Sequence, residues 1–232
     1  MLLKGLEKLT LIDYPGYMAC TVFVFGCNFR CGFCHNPELV IDDGREPLKE
    51  EDFFNFLKER KDFLEGVCIT GGEPTLYEDL PDFIKKIKDL GYLVKLDTNG
   101  TNPEMLEKLI NQKLIDYVAM DIKAPIEKYE KIVNAKVDKE KIKKSIEIIK
   151  SSEIDYEFRT TATPDLTEND FLEIAKWIKG SKKYYIQQFR PIKTLDKSFE
   201  KRKPIPDEKI LEIFNKIKQN FSYCDVRGIN KN

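Results

Sequence analysis

The chain is 232 residues long, enough for one large domain with a sizeable core. Its 39 Lys and Arg stand against 40 Asp and Glu, so no global charge favours nucleic acid or an anionic membrane as a partner. No run approaches the about 18 consecutive apolar residues of a membrane span. The opening MLLKGLEKLTLIDYPG lacks the basic and long apolar regions of a signal peptide, so the reading is cytoplasmic.

In chain order, LIDYPG precedes the first apolar run and reads either as a plain turn or as a lip for a partner loop. Strand-like runs follow at Ala19–Phe25, Gly66–Thr70, Tyr92–Asp97, Tyr117–Asp121, Tyr156–Thr161 and Tyr184–Phe189, rich in β-branched and aromatic residues. Helical patterns lie between them. Pro47–Phe63 places Phe53, Phe54, Leu57 and Phe63 on one face, Asp79–Gly91 ends in a C-cap glycine, and Asn102–Gln112 opens with an N-cap Asn followed by Pro. Asp138–Ser151, Thr167–Gly180 and Pro206–Phe221 supply three more. Helices between consecutive strands imply a parallel sheet with crossovers, as an open barrel of βα repeats or a doubly wound sheet. The expected organisation is a single domain over 1–232, with its core over about 17–190 and a C-terminal helical extension over about 204–221.

Unusual polar residues fall at the C-terminal ends of these runs. They are Cys27, then Gly71, Gly72 and Glu73, then Asp97, then Asp121 and Lys123, then Arg159 to Thr161, and last Gln187, Gln188 and Arg190. In parallel α/β folds the strand ends and the loops after them converge on one face, where functional groups collect. Arg159 and Arg190 read either as salt-bridge partners or as contacts to an anionic ligand group.

The cysteines carry the sharpest signal. CNFRCGFCHNPE places Cys27, Cys31 and Cys34 at C-x3-C-x2-C, while Cys20, Cys68 and Cys224 read as structural. Clustered thiols in a long intracellular chain point to metal or redox chemistry. A structural zinc site needs four protein ligands, and the single histidine, His35, adjoins Cys34 too closely to share its metal. A [4Fe–4S] cluster normally takes four cysteines, so three would leave one iron open to an exogenous ligand.

C-x3-C-x2-C with Phe33 before the last cysteine resembles the radical S-adenosylmethionine (SAM) signature. The resemblance implies one three-cysteine [4Fe–4S] cluster, held by Cys27, Cys31 and Cys34, whose open iron is chelated by SAM's amino and carboxylate groups. One electron then cleaves SAM to methionine and a 5'-deoxyadenosyl radical, which takes a hydrogen atom from substrate. GGEPT, at the end of the next strand, resembles the motif that receives the SAM amino group: Gly71 and Gly72 let the backbone approach a ligand, and the Glu73 carboxylate can accept from an ammonium. DTNG followed by MDIK resembles the glycyl-radical-enzyme activases. In that group Asp121 and Lys123 would lie near SAM's ribose and carboxylate, and Asp97 and Thr98, with the Met120–Asp121 backbone, near a monovalent cation.

The N-terminal segment through CHNPELV, and on to QQFRP, is similar to the longer form of the anaerobic ribonucleoside-triphosphate reductase activating protein family. That resemblance implies a partial (β/α)6 barrel, α/β in class, and an oxidoreductase that makes a glycyl radical on a partner enzyme such as anaerobic ribonucleotide reductase. A reduced flavodoxin or ferredoxin would supply the electron. A second reading keeps the radical chemistry but takes a small molecule, as in 7-deazaguanine precursor synthesis. A third, from another class, is a non-catalytic metal-binding scaffold.

Overall fold

The computed structural model describes residues 1–229; the last three positions of the 1–232 span lie outside the described residues. Its frame is one eight-stranded sheet whose spatial order is the chain order, β1 to β8. Strands β2 (Ala19–Val24), β3 (Gly66–Gly71), β4 (Leu93–Thr98), β5 (Tyr117–Asp121), β6 (Asp155–Ala162) and β7 (Lys183–Gln188) match the six expected runs within a residue or two at each end. Each pairs in parallel with the next.

Two edge strands were not foreseen. β1 (Leu3–Thr10) pairs antiparallel with β2, and β8 (Tyr223–Arg227) pairs parallel with β7. The C-terminal region read as a helical extension is therefore a further βα unit. Helix α7 (Asp207–Ile217) crosses over to deliver β8 to the sheet.

Helices α1 (Glu50–Glu59), α2 (Leu80–Asp89), α3 (Pro103–Asn111), α4 (Tyr129–Val133), α5 (Lys139–Ser151) and α6 (Glu168–Trp177) fill the connections from β2 through β7. Asn102 caps α3 as its position implies, its side chain accepting from the Met105 N–H at 3.2 Å. Helix α1 is shorter than the 47–63 pattern. Phe53 and Leu57 are buried as expected, but Phe63 lies beyond the last turn and is 63% exposed.

Along each strand the side chains alternate in chemistry as they alternate in facing. One set of side chains, including Val22, Ile69, Leu96, Met120, Phe158 and Ile186, joins the apolar core beneath the helices. The other set faces the concave side and is polar or charged: Cys68 and Thr70 on β3, Lys95 and Asp97 on β4, Asp121 on β5, Glu157 and Arg159 on β6, Gln187 on β7, and Arg227 on β8. In-register parallel pairing puts these residues level with one another, as Asp121 with Arg159 and Gln187 with Arg227.

The segment between β1 and β2 crosses the N-terminal end of this lumen. Tyr14 is buried there, its ring 6.0 Å from that of Tyr117 and pressed against Gly66. The LIDYPG segment is thus neither a free turn nor an external lip alone; it floors the half-barrel.

Candidate active site

The cysteine loop begins where Gly26, with φ of +88°, turns the chain out of β2. The loop is tied down by backbone: Gly26 N–H donates to Leu39 C=O at 2.7 Å, Arg30 N–H to Val133 C=O at 2.9 Å, and Cys34 N–H to Cys31 C=O at 3.0 Å. The Arg30 guanidinium donates back to the Cys27 and Phe29 carbonyls at 2.6 and 2.8 Å. Phe33 is buried and packs 6.3 Å from the Phe199 ring.

All three thiols line a single cavity of about 260 Å³ at the C-terminal mouth of the sheet. Burial pushes the Cys27 thiol up and the Cys31 thiol up to about 12, so ligation there must displace protons. Among the described residues no three Cys, His, Asp or Glu side chains converge as the ligands of one ion do. In a four-iron cluster each thiolate binds a different iron, so thiols that face one cavity without converging fit the cluster rather than a mononuclear site. His35 is held aside, its Nδ1 3.1 Å from the Ile192 carbonyl oxygen and its ring stacked on Phe189.

The two glycines of GGE do approach something closely, but it is protein backbone. Gly71 has φ of +117°, and a Cβ on it would stand 2.6 Å from both the nitrogen and oxygen of Val24. A Cβ on Gly72 would overlap the Gly26 carbonyl. The contact lets Gly72 N–H donate to Val24 C=O and Glu73 N–H to Gly26 C=O, both at 2.8 Å. The end of β3 is thereby clamped to the start of the cysteine loop.

Glu73 is fully buried, and four protein donors already reach its carboxylate. Thr75 N–H, Thr75 Oγ1 and Thr98 Oγ1 donate to Oε1 at 3.1, 2.6 and 2.7 Å, and Asn99 N–H donates to Oε2 at 2.6 Å. Burial pushes its pKa up against those donors. Glu73 and Thr98 therefore join the β3 and β4 loops to each other, with one Oε2 lone pair left over for a ligand ammonium.

On the opposite wall lies a chain of charges. The Arg159 guanidinium bridges two strands, donating to Asp121 Oδ1 at 2.9 Å and to Asp97 Oδ2 at 3.1 Å. Lys123 Nζ donates to Asp121 Oδ2 at 3.0 Å. Lys95, 1% exposed, gives its ammonium to Asp97 Oδ1. Deeper in the lumen, Glu157 accepts from Arg227 and from the Tyr117 hydroxyl.

Burial pushes Asp97 and Asp121 upward, yet Arg159 with Lys95 or Lys123 holds both below the usual carboxylate range. Lys123 is held above its ordinary value by Asp121, against burial. In this connected set Lys95, Lys123, Arg159 and Arg227 outnumber Asp97, Asp121 and Glu157, and of the four cations Lys123 and Arg159 line the thiol cavity, where they can face an anionic ligand group.

The structure thus gathers Cys27, Cys31, Cys34, Phe33, Gly71, Gly72, Glu73, Asp97, Thr98, Asp121 and Lys123 around one cavity, together with Arg159. Arg190 is exposed and is not part of its wall. Lys95, Glu157 and Arg227 were not foreseen. The first two lie two residues before Asp97 and Arg159 in their strands, and a period-two reading inward from those residues would have found them.

A family model for the radical SAM superfamily matches residues 21–178. A protein of Methanocaldococcus jannaschii named as a glycyl-radical enzyme activating enzyme is 39% identical over 99% of this chain and 97% of its own length. The pyruvate formate-lyase-activating enzyme of Clostridium pasteurianum is 33% identical over 52% of each chain. Streptococcus suis SuiB, solved with S-adenosylmethionine bound, shares the fold with a TM-score of 0.66 at 18% identity, over 89% of this chain and 49% of that one. The chain belongs to the radical SAM superfamily and, within it, to the family of glycyl-radical enzyme activating enzymes. The superfamily implies a [4Fe–4S] cluster and SAM as its cofactors.

Proposed function

We propose that this protein installs a glycyl radical on a partner enzyme, and that the partner is an anaerobic ribonucleoside-triphosphate reductase. Cys27, Cys31 and Cys34 would hold the cluster, with Phe33 shielding it from the 190–203 side. When bound, cluster and SAM supply one-electron reduction and a carbon radical able to take a hydrogen atom. The chain's own groups bind and orient. The free Oε2 lone pair of Glu73 and the carbonyls of the Gly71–Gly72 loop would receive the methionyl ammonium. Lys123 and Arg159 would hold its carboxylate, and Asp121, pinned by both, would serve the ribose. For the monovalent cation implied by the resemblance, we read the Lys95 ammonium as the stand-in at Asp97, whose two oxygens are already filled by Lys95 and Arg159.

The observation that carries a protein substrate is a second cavity, of about 480 Å³, lined by Leu11, Ile12, Asp13 and Pro15 from the β1–β2 segment and by Arg227 from β8. It shares Arg159 and Gln187 with the thiol cavity, so the two meet at those side chains. Leu11 and Ile12 are 68% and 83% exposed at its rim, an apolar border suited to an entering peptide loop. The reading includes a cytoplasmic setting with a reduced flavodoxin or ferredoxin as donor. Among the described residues no helix is long and apolar enough to cross a membrane.

The test is anaerobic reconstitution with iron, sulfide, SAM, dithionite and a ribonucleotide reductase of the glycyl type, followed by EPR. A glycyl doublet on the reductase is the expected result. SAM cleavage stimulated by a small molecule, with no doublet on any glycyl radical enzyme tried, would sink the proposal.

A further inference from the structure

Positive charge is dense in one segment of a nearly neutral chain. Segment 190–203 carries six basic residues (Arg190, Lys193, Lys197, Lys201, Arg202, Lys203) against the acids Asp196 and Glu200. This segment is strapped directly onto the cysteine loop. Leu195 N–H donates to Cys34 C=O and Asp196 N–H to Gly32 C=O, both at 3.0 Å. Gly32 has room for no side chain, since a Cβ there would stand 2.6 Å from the Phe199 ring.

Beside the strap lies a groove of about 530 Å³ with an apolar floor of Ile41, Leu195 and Phe199 and a basic border of Arg30, Lys131 and Arg202. Two acids share it, and both are committed, Asp165 to a bidentate pair with Arg202 and Asp196 to the Ser198 N–H. Arg30 stands in the groove while its guanidinium holds the Cys27 carbonyl. One hydrogen-bonded residue layer separates this outer surface from the backbone of two of the three thiols.

From this juxtaposition we propose that the groove formed by Arg30, Lys131 and the 190–203 strap is the docking surface for a small acidic ferredoxin that reduces the centre held by Cys27, Cys31 and Cys34. The inference rests on the reading that those cysteines hold a cluster. The step moves one electron from carrier to centre and exchanges no bond or proton. An apolar patch beside a strap with six bases against two acids, and with Arg30 and Lys131 on its other border, matches a carrier whose redox centre lies beneath a convex, acidic surface, and such complementarity steers association. An iron–sulfur carrier fits because thiolate-ligated clusters reach the strongly reducing end of the biological range.

The experiment titrates the cluster-loaded protein with an acidic ferredoxin by calorimetry at low and physiological ionic strength. Alongside, it compares 5'-deoxyadenosine formation driven by reduced ferredoxin with that driven by dithionite. Wild-type affinity should fall as salt rises. In the triple variant Lys131→Glu, Lys197→Glu, Lys201→Glu, affinity should drop at least about tenfold and the salt dependence should flatten. Ferredoxin-driven turnover should fall with it, and dithionite-driven turnover should stay within a factor of two.

Unchanged affinity in the variant overturns the docking surface. So does a joint fall in both turnover assays, which would assign the strap to holding the cysteine loop. Salt-sensitive binding of a flavodoxin in place of ferredoxin overturns the choice of carrier. A wild-type chain that takes up no iron fails the underlying reading, and that failure shows before any carrier is added.

Discussion

Arg227 lays both terminal nitrogens of its guanidinium on the Glu157 carboxylate, at 2.8 and 2.9 Å, while the same plane sits 3.4 Å over the Tyr185 ring. The pair joins the last strand to β6 across the lumen and closes the charge chain that begins at Lys95. Burial pushes Glu157 up, but Arg227 and Arg159 hold it below the usual carboxylate range. A carboxylate depressed in the folded state contributes stability that is full above its unfolded pKa of about 4.3 and is lost as pH falls through the lower folded value. Glu157→Gln should therefore cost about 2 kcal/mol at neutral pH, since it leaves the part-exposed Arg227 without its carboxylate partner and removes one of the carboxylates near Arg159. The difference between wild type and variant should shrink below about pH 4. Thermal melts across pH test this, and a constant difference down to acid pH would contradict it.

Much of this network was written in the sequence and only partly read. The six central strands stood out because their outward residues, such as those of VCIT and YVAM, form dense apolar runs bounded by glycines and charges. β1 and β8 did not stand out, because an edge strand is covered on one side only. LKGLEKLT exposes Glu7, Lys8 and Leu9 in succession, and only Val226 of YCDVR is buried. The thiols, Glu73 and Asp121 were legible from spacing and strand-end position. The partners of Glu73 were not, because Thr98 and Asn99 reach it across a parallel register that sequence does not print. Phe63 misled because a 3.6 period runs on past Arg60, where the helix hydrogen bonds stop.

The ligand assignment separates two kinds of cysteine. Cys27→Ala, Cys31→Ala and Cys34→Ala should each abolish bound iron and the brown chromophore after reconstitution. Cys68 faces the lumen beneath Lys95 and Asp97, fully buried, its sulfur 3.7 Å from Lys95 Nζ. Cys68→Ala should keep the full iron content and lose about 1–2 kcal/mol of stability from a small cavity. Iron retained in any of the first three, or lost in the fourth, would refute the division.

Gly72→Ala isolates the clamp between β3 and the cysteine loop. The added methyl meets the Gly26 carbonyl, which is backbone and cannot rotate away. Relief requires the two loops to part, breaking the Gly72–Val24 and Glu73–Gly26 hydrogen bonds. The cost should be about 3 kcal/mol, at the upper end for overpacking. Iron uptake should become slow and partial, measured as iron per chain against reconstitution time. Wild-type uptake in this variant would mean that the glycine serves a ligand and not the fold.

Lys95 gives the sharpest test of how this site handles charge. Its ammonium is 1% exposed, lies against Asp97 and has Cys68 as its other polar neighbour. Burial would lower its pKa, yet Asp97 holds it above the ordinary lysine value, so it stays charged at working pH. On the proposed reading this ammonium takes the place of a mobile cation at Asp97. Wild-type SAM binding and cleavage should then be indifferent to replacing potassium with sodium or with a bulky organic cation. Lys95→Met keeps the volume and removes the charge, leaving Asp97 with Arg159 alone. That variant should bind SAM at least about tenfold more weakly in the organic-cation buffer, a loss of about 1.4 kcal/mol, and recover when potassium is added. Recovery is the informative readout, because a merely structural lysine would not be rescued by an ion. Strong potassium dependence in the wild type would show instead that a free cation binds here and that Lys95 only packs.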